Sequence, residues 1–383
     1  MRYNRKGSFE LTKIFLIRHA EAEGNIYRRA HGHFNGQITR NGFRQIELLK
    51  QRFESVKIDA VYSSDLSRAK TTAAAIYVPH ALALYEDQSL REVNVGSWED
   101  TAWGNLLHDY PEMSECFGSD PGRWRAEGSE PYAHVKERMT DSIEGIARKH
   151  DGETVAIFSH GFAIRTFLCG VLGVLSEESY KVPYCDNTAV TLLSFDRGAL
   201  SVDYLGDNSH LTDDSSTFAY QTWWRDEKDR RSEDMRYELS GEAGGEAGGE
   251  AGREAGGSPE SEAGGEAGRE AGSSPESEAG RMAYTAYLED EIAGQLELEF
   301  TGGAAESCCW IRNIYIRPDF RRRRYGIQLI GQAVSDSRRR RREKLQMNVP
   351  VESPDFGFFL KCGFTDTGNS TSSCLLQMNV RNW

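Results

Sequence analysis

The amino-acid sequence predicts an α/β chain in two folded units: a three-layer domain with a mostly parallel sheet, then a smaller α+β domain after a disordered acidic linker. Three observations carry this expectation. Up to about residue 240 short β-branched apolar runs alternate with amphipathic helical patterns, which is the signature of parallel strands joined by helices. Residues 240–280 collapse to Glu-Ala-Gly-Gly and Glu-Ala-Gly-Arg units. From residue 281 onward strand-like runs surround one central helical stretch. At 383 residues the chain also exceeds what one core usually fills.

In order along the first unit, residues 1–232, KIFLIRH (13–19) reads as a strand, TRNGFRQIELLKQRF (39–53) as a helix, DAVYSS (59–64) as a strand, ETVAIFSH (153–160) as a strand and GFAIRTFLCGVLG (161–173) as a helix. The tract that follows repeats EAGREAGGSPES (250–261) as EAGREAGSSPES (266–277), a 16-residue period, with ten Glu against two Arg and no Val, Ile, Leu or aromatic residue. A segment of that composition cannot offset the entropy of ordering, so residues 240–280 are expected to be an acidic spacer, a linker or an insertion, rather than a solenoid. The second unit, 281–383, reads as strands at AYLED, EIAGQLELEF and CCWIRNIYIR, a helix at IQLIGQAVSDS, a strand at LQMNV, a short helix at DFGFFLK and a last strand at SCLLQMNV. MRYEL (235–239) is a candidate first strand for that unit.

Composition narrows the function. Lys plus Arg number 46 against 59 Asp plus Glu, a net charge of -13, which disfavours general binding to nucleic acid or anionic membranes. No apolar run approaches the roughly 18 residues that cross a bilayer. The start MRYNRK lacks the apolar region of a signal peptide, so a cytoplasmic location is expected. Seven Cys without a CxxC pair point to reduced thiols and exclude a zinc ribbon.

Three strands of the first unit end on unusual polar residues: IFLI on Arg18 and His19, AVY on Ser63 and Ser64 with Arg68 a turn later, VAIF on Ser159, His160 and Gly161. Ligands of open α/β sheets bind beyond the carboxyl ends of the strands. Neighbouring strands would therefore bring two Arg and two His into one crevice. Such a cationic cluster in an acidic chain suits a phosphate, which Arg binds bidentately and a neutral imidazole can attack.

RHAEAEGN (18–25), SSDLSRAKTTA (63–73), LREVNVGSWED (90–100) and SHGFAIR (159–165) resemble, in order, the signatures of the histidine phosphatase superfamily, the phosphoglycerate mutase-like fold, over roughly residues 10–225. GHFNGQITRNGFRQIELL (32–49) is similar to the segment that follows the first signature, whereas Ala20 stands where the family has Gly. The resemblance implies that His19 takes the phosphoryl group, that Arg18, Asn25, Arg68 and His160 hold its oxygens, and that Glu92 protonates the leaving oxygen and later activates water. It implies a small phosphorylated metabolite as substrate and no metal or other cofactor. LREVNVGSWED with Trp98 looks closer to the phosphatase branch than to the glycolytic mutase. A mutase would need a resting phosphohistidine primed by 2,3-bisphosphoglycerate. His31 and His33 lack a third metal ligand at suitable spacing and read as loop residues at the pocket rim. Trp103, Arg123, Trp124 and Arg125 are candidates for reading a leaving group, with packing as the competing role.

In the second unit, NIYIRPDFRRRRYGIQLIGQAV is a strand, an Arg-rich turn and a helix whose N-terminal amides could meet a pyrophosphate. With FFLKCGF (358–364) it resembles the GNAT acetyltransferase family over about 281–383. The resemblance implies an acyl-CoA partner, acetyl-CoA first, held by Arg321, Arg322, Arg323, Arg324, Tyr325 and Gly326. Three departures stand against full competence, the first being that, with MRYEL as the first strand, the Glu-Ala-Gly-Gly tract takes the place of the helices that usually shape the acceptor site. Arg324 occupies the first Gly position of the pyrophosphate loop, placing a side chain where backbone would approach phosphate. Phe359 stands where many members carry the Tyr that protonates the departing thiolate. The runs Arg321 to Arg324 and Arg338 to Arg342 suggest nucleic acid. However, the unit holds fifteen Lys plus Arg against twelve Asp plus Glu, and a solvated, dipole-complementing helix end is the expected role of the second run.

Overall fold

The computed structural model describes residues 11–225, 232–243, 280–301, 307–369 and 373–381. The MRYNRK start and nearly all of the acidic tract lie outside the described residues.

The first domain carries strands β1 (Thr12–Arg18), β2 (Ala60–Ser63), β3 (Leu84–Glu86), β4 (Thr154–Ser159), β5 (Val190–Asp196) and β6 (Ala199–Asp207). Its helices are α1 (Glu23–Tyr27), α2 (Arg40–Phe53), α3 (Ser67–Tyr77), α4 (Trp103–Asp109), α5 (Pro111–Ser119), α6 (Tyr132–Lys149), α7 (Gly161–Val171) and α8 (Thr217–Tyr220). The strands form one sheet in the order β3-β2-β4-β1-β5-β6. β1, β2, β3 and β4 are parallel, and β5 and β6 add an antiparallel edge.

Alternation along β1 sorts its side chains to two faces. Ile14 and Leu16 pack with Val135, Met139 and Phe167 of α6 and α7. Ile17 joins Leu49, Phe53, Ala69 and Ile76 of α2 and α3 on the other side, which completes three layers. Helix α2 begins where Thr39 accepts a hydrogen bond from the Gly42 amide, at 2.9 Å.

The second sheet runs β12-β13-β11-β10-β9-β8-β7, from β7 (Arg236–Ala243), β8 (Gly280–Leu288), β9 (Glu291–Phe300), β10 (Cys308–Ile316), β11 (Lys344–Pro350), β12 (Thr365–Asn369) and β13 (Ser373–Asn379). Helix α9 (Tyr325–Arg339) lies on it and α10 (Phe356–Lys361) follows β11. β10 and β11 are parallel but pair only over Cys308–Trp310 and Lys344–Gln346, after which they part. The chain enters this sheet before the acidic tract: β7 pairs antiparallel with β8, so the tract connects two neighbouring strands rather than two domains.

The domains share a core. Tyr27 and Ala102 of the first pack into the cluster formed by Leu296, Leu329, Ile330 and Ala333 of the second. At Gly331, α9 crosses α1 so closely that a Cβ would stand 2.5 Å from Cβ and Cγ of Tyr27, which is why glycine serves there. Polar groups complete the joint. The buried Arg29 guanidinium donates to the Asp100 carboxylate at 2.8 Å, to Gln332 at 2.9 Å and to Ser335 at 2.9 Å. Arg338 makes a two-pronged pair with Glu23, both contacts 2.9 Å, and Asn105 exchanges hydrogen bonds with the backbone of Tyr237. The run from Arg338 to Arg342 is thus not a simple solvated helix end: Arg338 is spent on an ion pair across the domain joint.

Candidate active site

Strand register assembles the site. Arg18 is level with Ser159 across β1 and β4, and Ser63 is level with Phe158 across β2 and β4, so the three parallel strands end at one edge. His19, Ser64 and His160 follow at that edge, and the His19 and His160 rings lie 5.2 Å apart.

The His19 Nδ1 hydrogen donates to the Ala20 carbonyl at 2.7 Å, which leaves Nε2 as the free ring nitrogen. Nε2 of His160 meets the Ser64 hydroxyl at 2.9 Å, while its buried Nδ1 has no partner among the described residues. Arg68 is clamped by the carbonyls of Phe34 (2.8 Å) and Gly32 (2.7 Å). Arg18 donates to the Cys185 carbonyl at 2.6 Å, and its buried Nε is unpartnered. A Cβ on Gly161 would approach Arg18 Nε to 3.2 Å, so the guanidinium lies directly against the first turn of α7. Glu92 is anchored there too, its carboxylate accepting from the amides of Phe162 (3.1 Å) and Ala163 (2.8 Å). Asn25 accepts from the Ala22 amide through its side-chain oxygen at 2.9 Å, leaving its amide nitrogen as a donor. All six residues expected around the phosphate therefore sit at or beside one strand edge.

Burial pushes the His19 imidazole well below its ordinary range, helped by the Arg68 and Arg18 charges and only partly opposed by the Ala20 hydrogen bond. The same order, burial and then Arg68 and His19, acts on His160. Burial lowers Arg68 to about 10, so it stays charged at neutral pH. Both rings are accordingly neutral near pH 7, the state a nitrogen nucleophile needs. The unfolded chain protonates them near pH 6.5 while the folded chain does not, so the stability they permit is full above about pH 6.5 and falls below it. Each ring costs up to about 1.4 kcal/mol per pH unit in that window. Denaturant midpoints at pH 7.5 and 5.5 should therefore drop less in His19→Ala than in the intact chain; equal drops would refute the neutral ring.

Some residues fall elsewhere. Trp124 is fully buried against Trp98 and Phe117, so it packs the core and cannot read a leaving group. Arg125 turns back to the Gly122 and Trp124 carbonyls. His33 donates through Nε2 to the Glu92 backbone carbonyl at 3.0 Å and His31 contacts Asp100 at 3.1 Å, so both brace the loop around the site. Among the described residues no three His, Cys, Asp or Glu side chains form a metal cluster. Sequence reasoning missed Asp186 and Asn187. Asn187 donates to the His19 carbonyl at 3.0 Å and Asp186 adds negative charge near Arg18. Neither has a local motif to mark it.

In the second domain Arg322 and Arg324 take left-handed backbone, φ 60° and 66°, conformations a glycine-rich loop would favour. The Arg324 side chain does not fill that loop: its guanidinium stacks 3.5 Å above the Tyr220 ring of the first domain. The expected obstruction is turned away. Phe359 is buried and offers no hydroxyl.

Comparison with known proteins agrees with this geometry. Residues 14–208 match the histidine phosphatase superfamily (branch 1) and residues 279–366 match the acetyltransferase (GNAT) domain. The chain is 27% identical over 201 residues to phosphoserine phosphatase 1 of Hydrogenobacter thermophilus, covering 52% of this chain and 95% of that one. It is 29% identical over 209 residues to the metal-independent phosphoserine phosphatase of Arabidopsis thaliana, covering 53% and 84%. The solved structure of Bacillus stearothermophilus YhfR superposes with a TM-score of 0.51 at 29% identity, over 52% of this chain and 98% of that one. With a match that spans half its length and a strand edge that gathers the signature residues, the chain belongs to the histidine phosphatase superfamily and carries a GNAT domain joined to it.

Proposed function

We propose that this protein is a metal-independent phosphomonoester hydrolase that works through a phosphohistidine on a small phosphorylated metabolite. The observation that carries the reading is the His19 ring, tied at Nδ1 to the Ala20 carbonyl, 5.2 Å from the His160 ring and beside Arg18 and Arg68. Nε2 attacks phosphorus, the bond to the leaving oxygen breaks, and Glu92 gives that oxygen its proton. Glu92 then takes a proton from water as the hydroxide attacks phosphorus and the P–N bond breaks, restoring His19. Arg18 and Arg68 stabilise charge on the equatorial oxygens, with His160 and Asn25 as further donors. Fixing these groups beforehand supplies orientation that a free phosphate ester lacks in water.

Phosphoserine is the first substrate to test, since two relatives bear that name. Phosphate release from phosphoserine, 3-phosphoglycerate and p-nitrophenyl phosphate is to be measured with EDTA present. Hydrolysis unaffected by chelator, with phosphoserine the best of the three by kcat/KM, is the expected result. Interconversion of 2- and 3-phosphoglycerate that requires 2,3-bisphosphoglycerate and outpaces hydrolysis would make the protein a phosphoglycerate mutase instead.

For the second domain the supported reading is acyl-CoA binding with little or no acyl transfer. The left-handed positions at Arg322 and Arg324 and the parting of β10 from β11 suit a pyrophosphate and its pantetheine arm. Phe359 leaves a departing thiolate without the acid that an active N-acetyltransferase would use there.

A further inference from the structure

A cavity of about 480 Å3 opens at the joint of the two domains, at the C-terminal end of α9. It is remote in sequence from the pyrophosphate loop, which lies at the other end of that helix. Its wall is made largely of arginine: Arg338, Arg339, Arg341, Arg342 and Arg381 all line it, with Phe34 contributed by the first domain.

Counting charge decides what it could hold. Arg338 is neutralised by Glu23 and Arg381 pairs with Glu343. The Asp100 carboxylate, also in the wall, is paired with Arg29. Arg339 donates to the neutral Asp100 carbonyl at 3.2 Å. Among the described residues Arg341 and Arg342 have no acidic partner within an ion-pair distance. Arg342 is the telling one, because the residue is only 6% exposed and its buried Nε has no hydrogen-bond partner among the described residues. An unpaired buried guanidinium is costly unless something compensates it. Among the described residues no carbonyl at the helix end accepts from the Arg342 Nε.

We propose that this cavity binds a small anion bearing two phosphoryl groups, a diphosphate-class ligand distinct from the phosphatase substrate. Three guanidinium groups without a carboxylate of their own, those of Arg339, Arg341 and Arg342, match its two to three negative charges. Planar forks suit phosphoryl oxygens. The volume lies within the range of small-molecule sites, and the Phe34 ring offers an apolar surface to the remainder of the ligand.

Isothermal calorimetry of the full chain with imidodiphosphate, whose P–N–P bridge resists hydrolysis, tests this directly. The expected result is a binding event whose Kd rises at least about tenfold in Arg341→Glu and in Arg342→Gln, as loss of a close unit charge demands, but stays unchanged in Arg18→Gln. Arg341 is exposed, so its variant remains informative if the buried Arg342 change compromises folding. Absence of any such event, or an event lost in Arg18→Gln and indifferent to Arg341→Glu, would overturn the proposal. Neither outcome depends on whether the first domain hydrolyses phosphoserine.

Discussion

Phosphate release by His19→Ala is expected to fall by about 10^4-fold or more, the scale seen when a nucleophile is removed from a set of groups that act together. Arg18, Arg68 and His160 would still bind the ester, but no atom remains to accept the phosphoryl group. Rapid quenching with 32P-labelled substrate adds a readout that simple loss of fold could not mimic. The intact chain should trap an acid-labile, base-stable phosphoprotein, and the variant, still bearing His160, should trap none. Turnover within tenfold of the intact chain, or equal trapping, would remove His19 from the chemistry. Because Nδ1 is fixed by the Ala20 carbonyl, the variant also loses a buried hydrogen bond, so its circular dichroism and midpoint should be recorded alongside.

The largest stability effect is expected not at the site but at the domain joint. Arg29→Met should cost about 3–5 kcal/mol, the range for stripping one partner from a buried ion pair. The Asp100 carboxylate would stay behind, with the two side chains only 3% and 9% exposed in the intact pair. Burial by itself would push that carboxyl up; the His31 contact and the Arg29 charge outweigh it and hold the group well below the usual carboxylate range. Gln332 and Ser335 would lose their donor as well. Equilibrium urea unfolding followed by tryptophan fluorescence measures the loss. The intact chain should unfold in one transition and the variant in two, as the domains uncouple. A loss below about 1 kcal/mol would mean that water or repacking replaces the guanidinium.

The sequence revealed most about residues whose neighbours are also near them in the chain. His19, His160 and Ser64 sit directly after apolar strands, and strand order alone carries them to one edge. Glu92 and Asn25 came from family likeness and not from local pattern, and the structure puts both beside that edge. What escaped was whatever depends on contacts between distant segments. Arg338 looked like a helix-end charge because its partner Glu23 lies 315 residues away. Arg324 looked like an obstruction because Tyr220 was invisible as a stacking surface. Trp124 carried the composition of a recognition residue, and only three-dimensional packing against Phe117 and Trp98 shows it to be core. Asp100 closes a quoted motif, yet its role is set by Arg29, His31 and Ser335, one of them on the other domain.

The placement of the acidic tract between β7 and β8 bears on how this protein could be cut. Severing the chain anywhere in 244–279 would leave the first domain whole but would take β7 away from the rest of the second sheet. The N-terminal fragment would keep β7, whose edge must find β8 on the other fragment, and the shared core around Tyr27 would hold both. The N-terminal product would carry the whole first sheet plus one strand of the second, and the C-terminal product the second sheet without that edge strand, a pair suited to reassembly.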